Sequence, residues 1–377
     1  MSRSRSRRGS ERSTSSSVDD TVGHIDCRDG DILNERFSVQ RLMGMGTFGK
    51  VFQCIDAKHR DIVAVKVVRR IKRYIESAHI EADVLKEVYR HLKKERSSCC
   101  VLMYSNFNFR GYYCMVFEPL GISLYDLIKR NDYCGLPISN VRSFAKQLLE
   151  AMKFLKSMRL IHTDLKLENI LLYCNQFEEK DYKVYIDNVL VTKRIDVPVN
   201  NKIKLIDFGG ATFDDDRSKS RIINTRQYRS PEVIMELKWS FPSDIWSVGC
   251  ILAEIMTGTL LYATHEDLEH LFIIEYYSNT HIPHWMVESS DVSKRFFFKD
   301  GSRYYLDKGR LSSSSRHFLN DLKPLRETLR NVYVNDSDIE AKNLLNKFVG
   351  LVSGLLIIDP YLRLAAEEAL TKDFCRV

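Results

Sequence analysis

At 377 residues the chain is long enough for two lobes around a large buried core, and its 44% hydrophobic and 28% charged residues are the make-up of an ordinary soluble globular protein. No apolar run reaches the roughly 18 residues of a membrane span; the nearest, LVSGLLII at 351–358, has the length of a core segment, and the basic start MSRSRSRRGS has no apolar stretch behind it and does not read as a secretory signal. Nine cysteines without any C-x-x-C argue against a disulfide framework or a zinc site and for a reducing compartment, while the net charge of +7 suits either an acidic ligand such as a nucleotide phosphate or simple solubility.

Residues 1–33 are rich in Ser, Arg and Asp and poor in large apolar side chains, which predicts a disordered tail. Five of its six arginines crowd residues 3–12, and its aspartates lie at 19–31, so the tail is neutral overall but split. From Phe37 the runs FSVQRLM, VFQCIDA and DIVAVKVV predict an antiparallel meander. A helix follows, with Ile75, His79, Ala82, Leu85, Tyr89 and Leu92 on one 3.6-period face, and then VLMYSNFNF and YYCMVFE read as two more strands. Residues 34–120 thus form a small β-rich lobe with one helix.

Beyond LGIS (120–123) the chain turns mainly helical, and 121–377 reads as a second, larger lobe. VRSFAKQLLEAMKFLKS, SDIWSVGCILAEIMTG and IEAKNLLNKFVGLVSGLL carry the spacing of buried helices, with short β-like pieces NILLY and IKLIDF between the first two. The segment 174–201 is expected to make a hairpin or loop excursion. The fold class is α+β.

Four stretches carry chemistry. GMGTFGKV (44–51) is a G-x-G-x-x-G loop, in which glycine lets the backbone approach phosphate oxygens closely. A dinucleotide site shares this pattern, but there the loop opens a helix, whereas Gly49 is followed by the β-prone VFQCI. VAVK (63–66) ends an apolar strand on a lysine. That lysine is either an edge residue in water or a phosphate-gripping group held by an acid on the next helix, for which Glu81 is the best placed. HTDLKLEN (162–169) and DFG (207–209) complete the set.

In this order, and with PE in YRSPEV (228–233), these motifs resemble a eukaryotic protein kinase over about residues 35–374. The resemblance implies the bilobal kinase fold, ATP and Mg2+ as cofactors, and a role for each matching position. Asp164 would accept the proton of the substrate hydroxyl, Lys166 would approach the γ-phosphate, and Thr225 would hydrogen-bond the aspartate. Asn169 and Asp207 would ligate metal. ATP would be bound by Met43, Gly44, Met45, Gly46, Thr47, Phe48, Gly49, Lys50 and Val51, by Lys66 oriented by Glu81, and by Ala64, Phe117 as gatekeeper, Glu118 and Leu120 around the adenine. Asp244 in SDIW and Arg363, as partner of Glu232, also fit the family.

HTDLK in place of HRDLK is similar to the LAMMER (Cdc-like) dual-specificity kinases of the CMGC group, as are NFNFRGYYCMVFEPLG, DFGGATFDDD and NTRQYRSPEV. EHLFIIEY (269–276) stands at their naming motif with an altered centre but keeps Glu269, His270, Leu271 and Glu275; 295–316 resembles their insert, so that 269–316 reads as motif plus insert. The resemblance implies transfer to Ser and Thr of Arg/Ser-rich splicing proteins, Tyr autophosphorylation, and a monomer without direct nucleic-acid or membrane partners. The start SRSRSRR reads as a substrate mimic, an autophosphorylated segment or a nuclear address, and on it rests the expected placement in the nucleus, in part also the cytoplasm. Glu168 is the candidate for binding a substrate arginine. Thr163 removes the arginine that meets an activation-loop phosphate, so activity is expected without an upstream kinase. Two other readings stand beside this one: a different CMGC kinase preferring Ser-Pro, and a non-catalytic pseudokinase scaffold in RNA processing.

Overall fold

Period-two alternation builds the first unit around an antiparallel sheet of six strands in the order β1-β2-β3-β4-β6-β5. These are β1 (Ile32–Leu33), β2 (Phe37–Gly46), β3 (Gly49–Asp56), β4 (Asp61–Val68), β5 (Met103–Phe109) and β6 (Tyr112–Phe117), with α1 (Lys72–Glu95) between β4 and β5. The structure, a computed structural model, describes residues 22–95, 99–186, 189–216, 220–330 and 339–376. It divides into one unit reaching to Asp83 with Leu102–Pro119, and another of Val84–Val101 with Leu120–Val377.

One face of the sheet buries Phe37, Val39, Phe52, Cys54, Val63, Val65, Val67, Cys114 and Val116 together with Ile25 and Leu33. The last two correct the expected tail. Residues 22–33 are ordered because their few apolar side chains fill this core, and β1 pairs with β2. Residues 1–21, with the Arg/Ser run, lie outside the described residues. The helical face also differs from the expected one. The buried positions of α1 are Ala78, Glu81, Ala82, Val84, Leu85, Val88 and Leu92, while Tyr89 is exposed and His79 lies at the edge against the Tyr113 ring. The face is rotated so that a glutamate lies within it.

The second unit begins with α2 (Leu124–Arg130), capped by the Ser123 hydroxyl on Asp126 N, and α3 (Ile138–Ser157). Four short strands follow around the functional loops: β7 (Leu160–Ile161), β8 (Ile170–Leu172), β11 (Ile203–Leu205) and β12 (Thr212–Phe213), pairing as β7 with β12 and β8 with β11. Between β8 and β11, β9 (Phe177–Ile186) and β10 (Val189–Pro198) pair as an antiparallel ribbon in the 174–201 segment. Its base is docked on α2, where the Asn131 side chain exchanges two hydrogen bonds with the backbone of Asp196.

The remaining helices are α4 (Pro231–Ile234), α5 (Pro242–Thr257), α6 (Asp267–Ser278), α7 (His284–Ser289), α8 (Ser313–Asn320), α9 (Leu325–Arg330), α10 (Ile339–Leu355) and α11 (Ala366–Leu370), with the small hairpin β13 (Phe297–Asp300) and β14 (Arg303–Leu306) before α8. Helix α5 is buried on all sides from Ser243 to Met256, mostly by apolar residues, the pattern of a central core helix. It stops at Gly258, whose left-handed φ of 79° and approach to the Tyr133 carbonyl exclude a side chain. The altered motif at 269–276 lies on α6. Leu271, Ile273 and Ile274 are buried, Glu269 accepts a hydrogen bond from the Ser315 hydroxyl, and Glu275 accepts one from Ile282 N. The changed centre is therefore core packing.

Candidate active site

In the first unit, alternation sorts the predicted nucleotide residues by face. Because Val63, Val65, Val67, Cys114 and Val116 line the hydrophobic core, Ala64, Lys66, Met115 and Phe117 point to the opposite side. Register makes Val51 the partner of Lys66 and Ala64 the partner of Phe117. On this side Lys66 Nζ donates to both Glu81 carboxylate oxygens, at 3.0 and 2.8 Å. Glu81 is only 4% exposed, so the pair fixes the ammonium in place rather than leaving it to water.

The hairpin of β2 and β3 closes with Gly46 opposite Gly49 and Thr47–Phe48 at its tip. Gly49 packs so near β4 that an added Cβ would lie 2.2 Å from the Val67 carbonyl, whereas the positions of Gly44 and Gly46 are open. Met43, Met45 and Phe48 are exposed along the loop. Lys50 corrects the expected set. Being on the core side of β3, its ammonium turns to the Ile25 carbonyl at 2.9 Å, away from the Lys66 face. Glu118 N–H donates to Leu102 O, and its carboxylate accepts from Leu102 N. Its carbonyl is thus the group it could offer to a base edge. Leu120, assigned to the second unit, is buried.

In the second unit the loop 162–169 runs from β7 to β8, and 206–211 runs from β11 to β12, so the two ladders hold HTDLKLEN beside DFG. Asp164 is bound from two directions. Lys166 Nζ donates to Oδ2 at 2.7 Å, and the Thr225 hydroxyl donates to Oδ1 at 2.8 Å. Asn169 Nδ2 donates to the Asp164 carbonyl at 2.8 Å. Burial pushes the Asp164 carboxyl up, but the bond and charge of Lys166 and the bond of Thr225 outweigh it, and the net shift is downward. The group is held ionised, as a proton acceptor must be.

The loop is fixed from beneath. The fully buried Asp244 carboxylate accepts from His162 N at 2.7 Å and Thr163 N at 3.0 Å, and His162 Nε2 bonds the Ile206 carbonyl at 3.0 Å. These contacts hold Thr163 at a φ of 68°, costly for a β-branched residue. Its hydroxyl donates to the Gly210 carbonyl at 2.8 Å, in the segment after DFG. Asp207 is likewise left-handed, at 62°. Away from the loop, Arg363 makes two bonds with Glu232, at 2.7 and 2.8 Å, fully buried as expected of that pair.

The donor set fits a hard cation shared with phosphates. Asn169 commits Nδ2 to Asp164, which leaves Oδ1 as its ligand oxygen, and Asp207 supplies a carboxylate. Among the described residues no group of three His, Cys, Asp or Glu could hold a metal alone. Two protein oxygens completed by phosphate and water is the arrangement magnesium takes.

Glu168 is exposed on the turn Leu167–Asn169. Nearby, and missed in the sequence, is Glu254 of α5, which accepts a bond from Tyr228 Oη at 2.6 Å. Burial, opposed by that bond and reinforced by the charge of Glu168, pushes its carboxyl up to about 7. The acid was hidden because SDIWSVGCILAEIMTG reads as a core helix throughout.

A family model described as protein kinase domain matches residues 37–375. The serine/threonine-protein kinase AFC1 of Arabidopsis thaliana is 40% identical, over 94% of this chain and 74% of its own length. The human dual specificity protein kinase CLK2 is 37% identical, over 94% of this chain and 67% of its own. The crystal structure of the kinase domain of PF14_0431 superposes with a TM-score of 0.82 at 36% identity, covering 94% of this chain and 99% of that one.

Proposed function

The chain belongs to the protein kinase family, in its LAMMER (Cdc-like) dual-specificity branch, and from that premise we propose that it phosphorylates serines and threonines of Arg/Ser-rich splicing-type proteins, using magnesium with ATP and phosphorylating tyrosine only on itself. It is an ATP-dependent serine/threonine kinase of dual-specificity type acting on protein substrates. The observation that carries the residue assignment is the Asp164 carboxylate held between Lys166 and Thr225.

Phosphoryl transfer asks for positioning and charge neutralisation rather than covalent chemistry by the protein. In our reading Asp164 orients the substrate hydroxyl and takes its proton as the oxygen attacks the γ-phosphorus. The bond to the β,γ-bridging oxygen breaks and ADP leaves. Lys166 neutralises charge on the transferred group. Lys66, set by Glu81, holds the α- and β-phosphates with the backbone of the glycine-rich loop, while Ala64, Phe117, Glu118 and Leu120 bound the adenine. Asn169 and Asp207 would hold magnesium, which when bound screens the phosphate charge. Glu168 and Glu254 form an acidic pair suited to a substrate arginine.

The test is transfer from magnesium-ATP to an Arg/Ser repeat peptide, a Ser-Pro peptide and neither. Transfer chiefly to the Arg/Ser peptide, abolished by Asp164→Ala, is expected. Transfer only to Ser-Pro would move the chain to another branch of substrate choice, and no transfer would favour a scaffold. We also propose that SRSRSRR at 2–8 is a nuclear address; alanine replacement of its arginines in the full chain should shift it to the cytoplasm.

A further inference from the structure

The glycine-rich hairpin is tied to the segment that precedes the first strand, and one side chain makes the tie. Arg69 directly follows β4, and its backbone N–H donates to Phe48 O at 2.9 Å. Its guanidinium, in a residue only 6% exposed, donates to the Thr47 carbonyl at 3.2 Å from Nη1. From Nε and Nη2 it also donates to the Val22 carbonyl, at 2.9 and 2.7 Å. One planar group therefore bridges the tip of the phosphate loop and residue 22. A lysine could reach either carbonyl but lacks the fork that spans both.

The segment it anchors to is itself well held. Arg70 N–H donates to Gly23 O at 2.7 Å, Tyr112 Oη to His24 O at 3.2 Å, and Lys50 Nζ to Ile25 O at 2.9 Å, while Ile25 is buried in the sheet core. The tip also leans on the start of α1, where Phe48 meets Tyr74 edge-on at 5.4 Å and Arg69 lies over the Tyr74 ring at 5.6 Å. A loop with two open glycines would otherwise sample many positions. Here its tip is referenced to three elements through one guanidinium.

We propose that Arg69 is a positioning residue for the phosphate-binding loop, setting the Thr47–Phe48 turn against residues 22–25. This rests on reading Gly44–Val51 as the loop that binds ATP phosphates. Held in place, the loop presents its N–H groups without a further ordering cost when nucleotide binds.

The experiment is steady-state kinetics on the full chain with an Arg/Ser repeat peptide, for the parent, Arg69→Met, Arg69→Lys, Gly23→Ala and the double variant Arg69→Met with Gly23→Ala. Gly23 has a φ of 81°, and a Cβ added there would lie 3.3 Å from the Ile71 side chain, so an added methyl strains the anchoring segment without touching the loop. Arg69→Met should raise the KM for ATP about fivefold with the peptide KM unchanged, and lysine should restore part of it. Gly23→Ala should do the same more weakly, and the double variant should be no worse than Arg69→Met alone. Amide hydrogen exchange at 44–50 should quicken in Arg69→Met. An unchanged ATP KM, effects of the two sites that multiply, or equal losses in both KM values without rescue by lysine would each overturn the assignment. A parent that transfers no phosphate would instead bring down the functional reading on which it rests.

Discussion

The Thr163 hydroxyl donates to the carbonyl oxygen of Gly210 at 2.8 Å, and a Cβ added at Gly210 would lie 2.9 Å from that same hydroxyl. Loop and activation segment are therefore joined by a neutral hydrogen bond where most kinases use an arginine and a phosphate. Phosphatase-treated enzyme should keep its parental kcat. Thr163→Val, which removes one buried bond of roughly 1–1.5 kcal/mol, should lower kcat about tenfold. Inactivation by phosphatase with recovery on adding an upstream kinase would sink this account.

Asp164 leads to a prediction about pH. Its carboxyl is held below the ordinary range, since Lys166 and Thr225 outweigh burial. A lowered carboxylate supplies its stabilisation above the unfolded pKa and loses it as pH falls through the folded one. The acid limb of kcat should thus lie below the ordinary carboxylate range, leaving the rate flat through neutral pH. Thr225→Val removes a donor to the ionised form and should move that limb upward in a pH–rate profile. An unmoved limb would mean that another group sets it.

How far the chain could be read without its structure follows the range of the interactions. Local patterns were legible: the G-x-G-x-x-G loop between strands, and Lys66 with an acid on the next helix. The pairing of Arg363 with Glu232, 131 residues apart, was legible only through the family resemblance. Period two could have excluded the Lys50 side chain, since 50, 52 and 54 share the core side of β3. Residues 22–33 misled because only Ile25 and Leu33 decide their order, and two residues scarcely alter composition. The bonds of Thr163 to Gly210 and of Tyr228 to Glu254 join residues distant in the chain. No periodicity announces such contacts.

Glu254 should make both stability and specificity depend on pH. Burial raises its carboxyl to about 7, against an ordinary 4.5. Between these values the folded chain binds more protons than the unfolded one, so stability falls as pH rises across that window, by on the order of 2–3 kcal/mol. Urea melts of the parent at pH 5 and 8 should differ more than those of Glu254→Gln. Ionisation above 7 should also strengthen arginine binding. The preference for Arg/Ser over neutral peptides should rise from pH 6 to 8 and flatten in Glu254→Gln or Glu168→Gln, and a preference unaffected by either substitution would remove these acids from substrate recognition.

The two glycines that close the hairpin should fail differently. An added Cβ at Gly49 would lie 2.2 Å from the Val67 carbonyl, a backbone atom that cannot turn aside, while the same atom at Gly46 meets nothing within 4 Å. Gly49→Ala should therefore lower the melting temperature by several degrees, by roughly 1–3 kcal/mol of overpacking, before any nucleotide is added. Gly46→Ala should melt with the parent. If phosphate oxygens approach the backbone at Gly46, its methyl will obstruct them, and the KM for ATP should rise about tenfold with the peptide KM unchanged. Thermal melts with and without magnesium-ATP separate the two effects, because only Gly46→Ala should lose nucleotide-induced stabilisation while keeping its unliganded melting temperature. Full stabilisation of Gly46→Ala by ATP would place the phosphates elsewhere on the sheet.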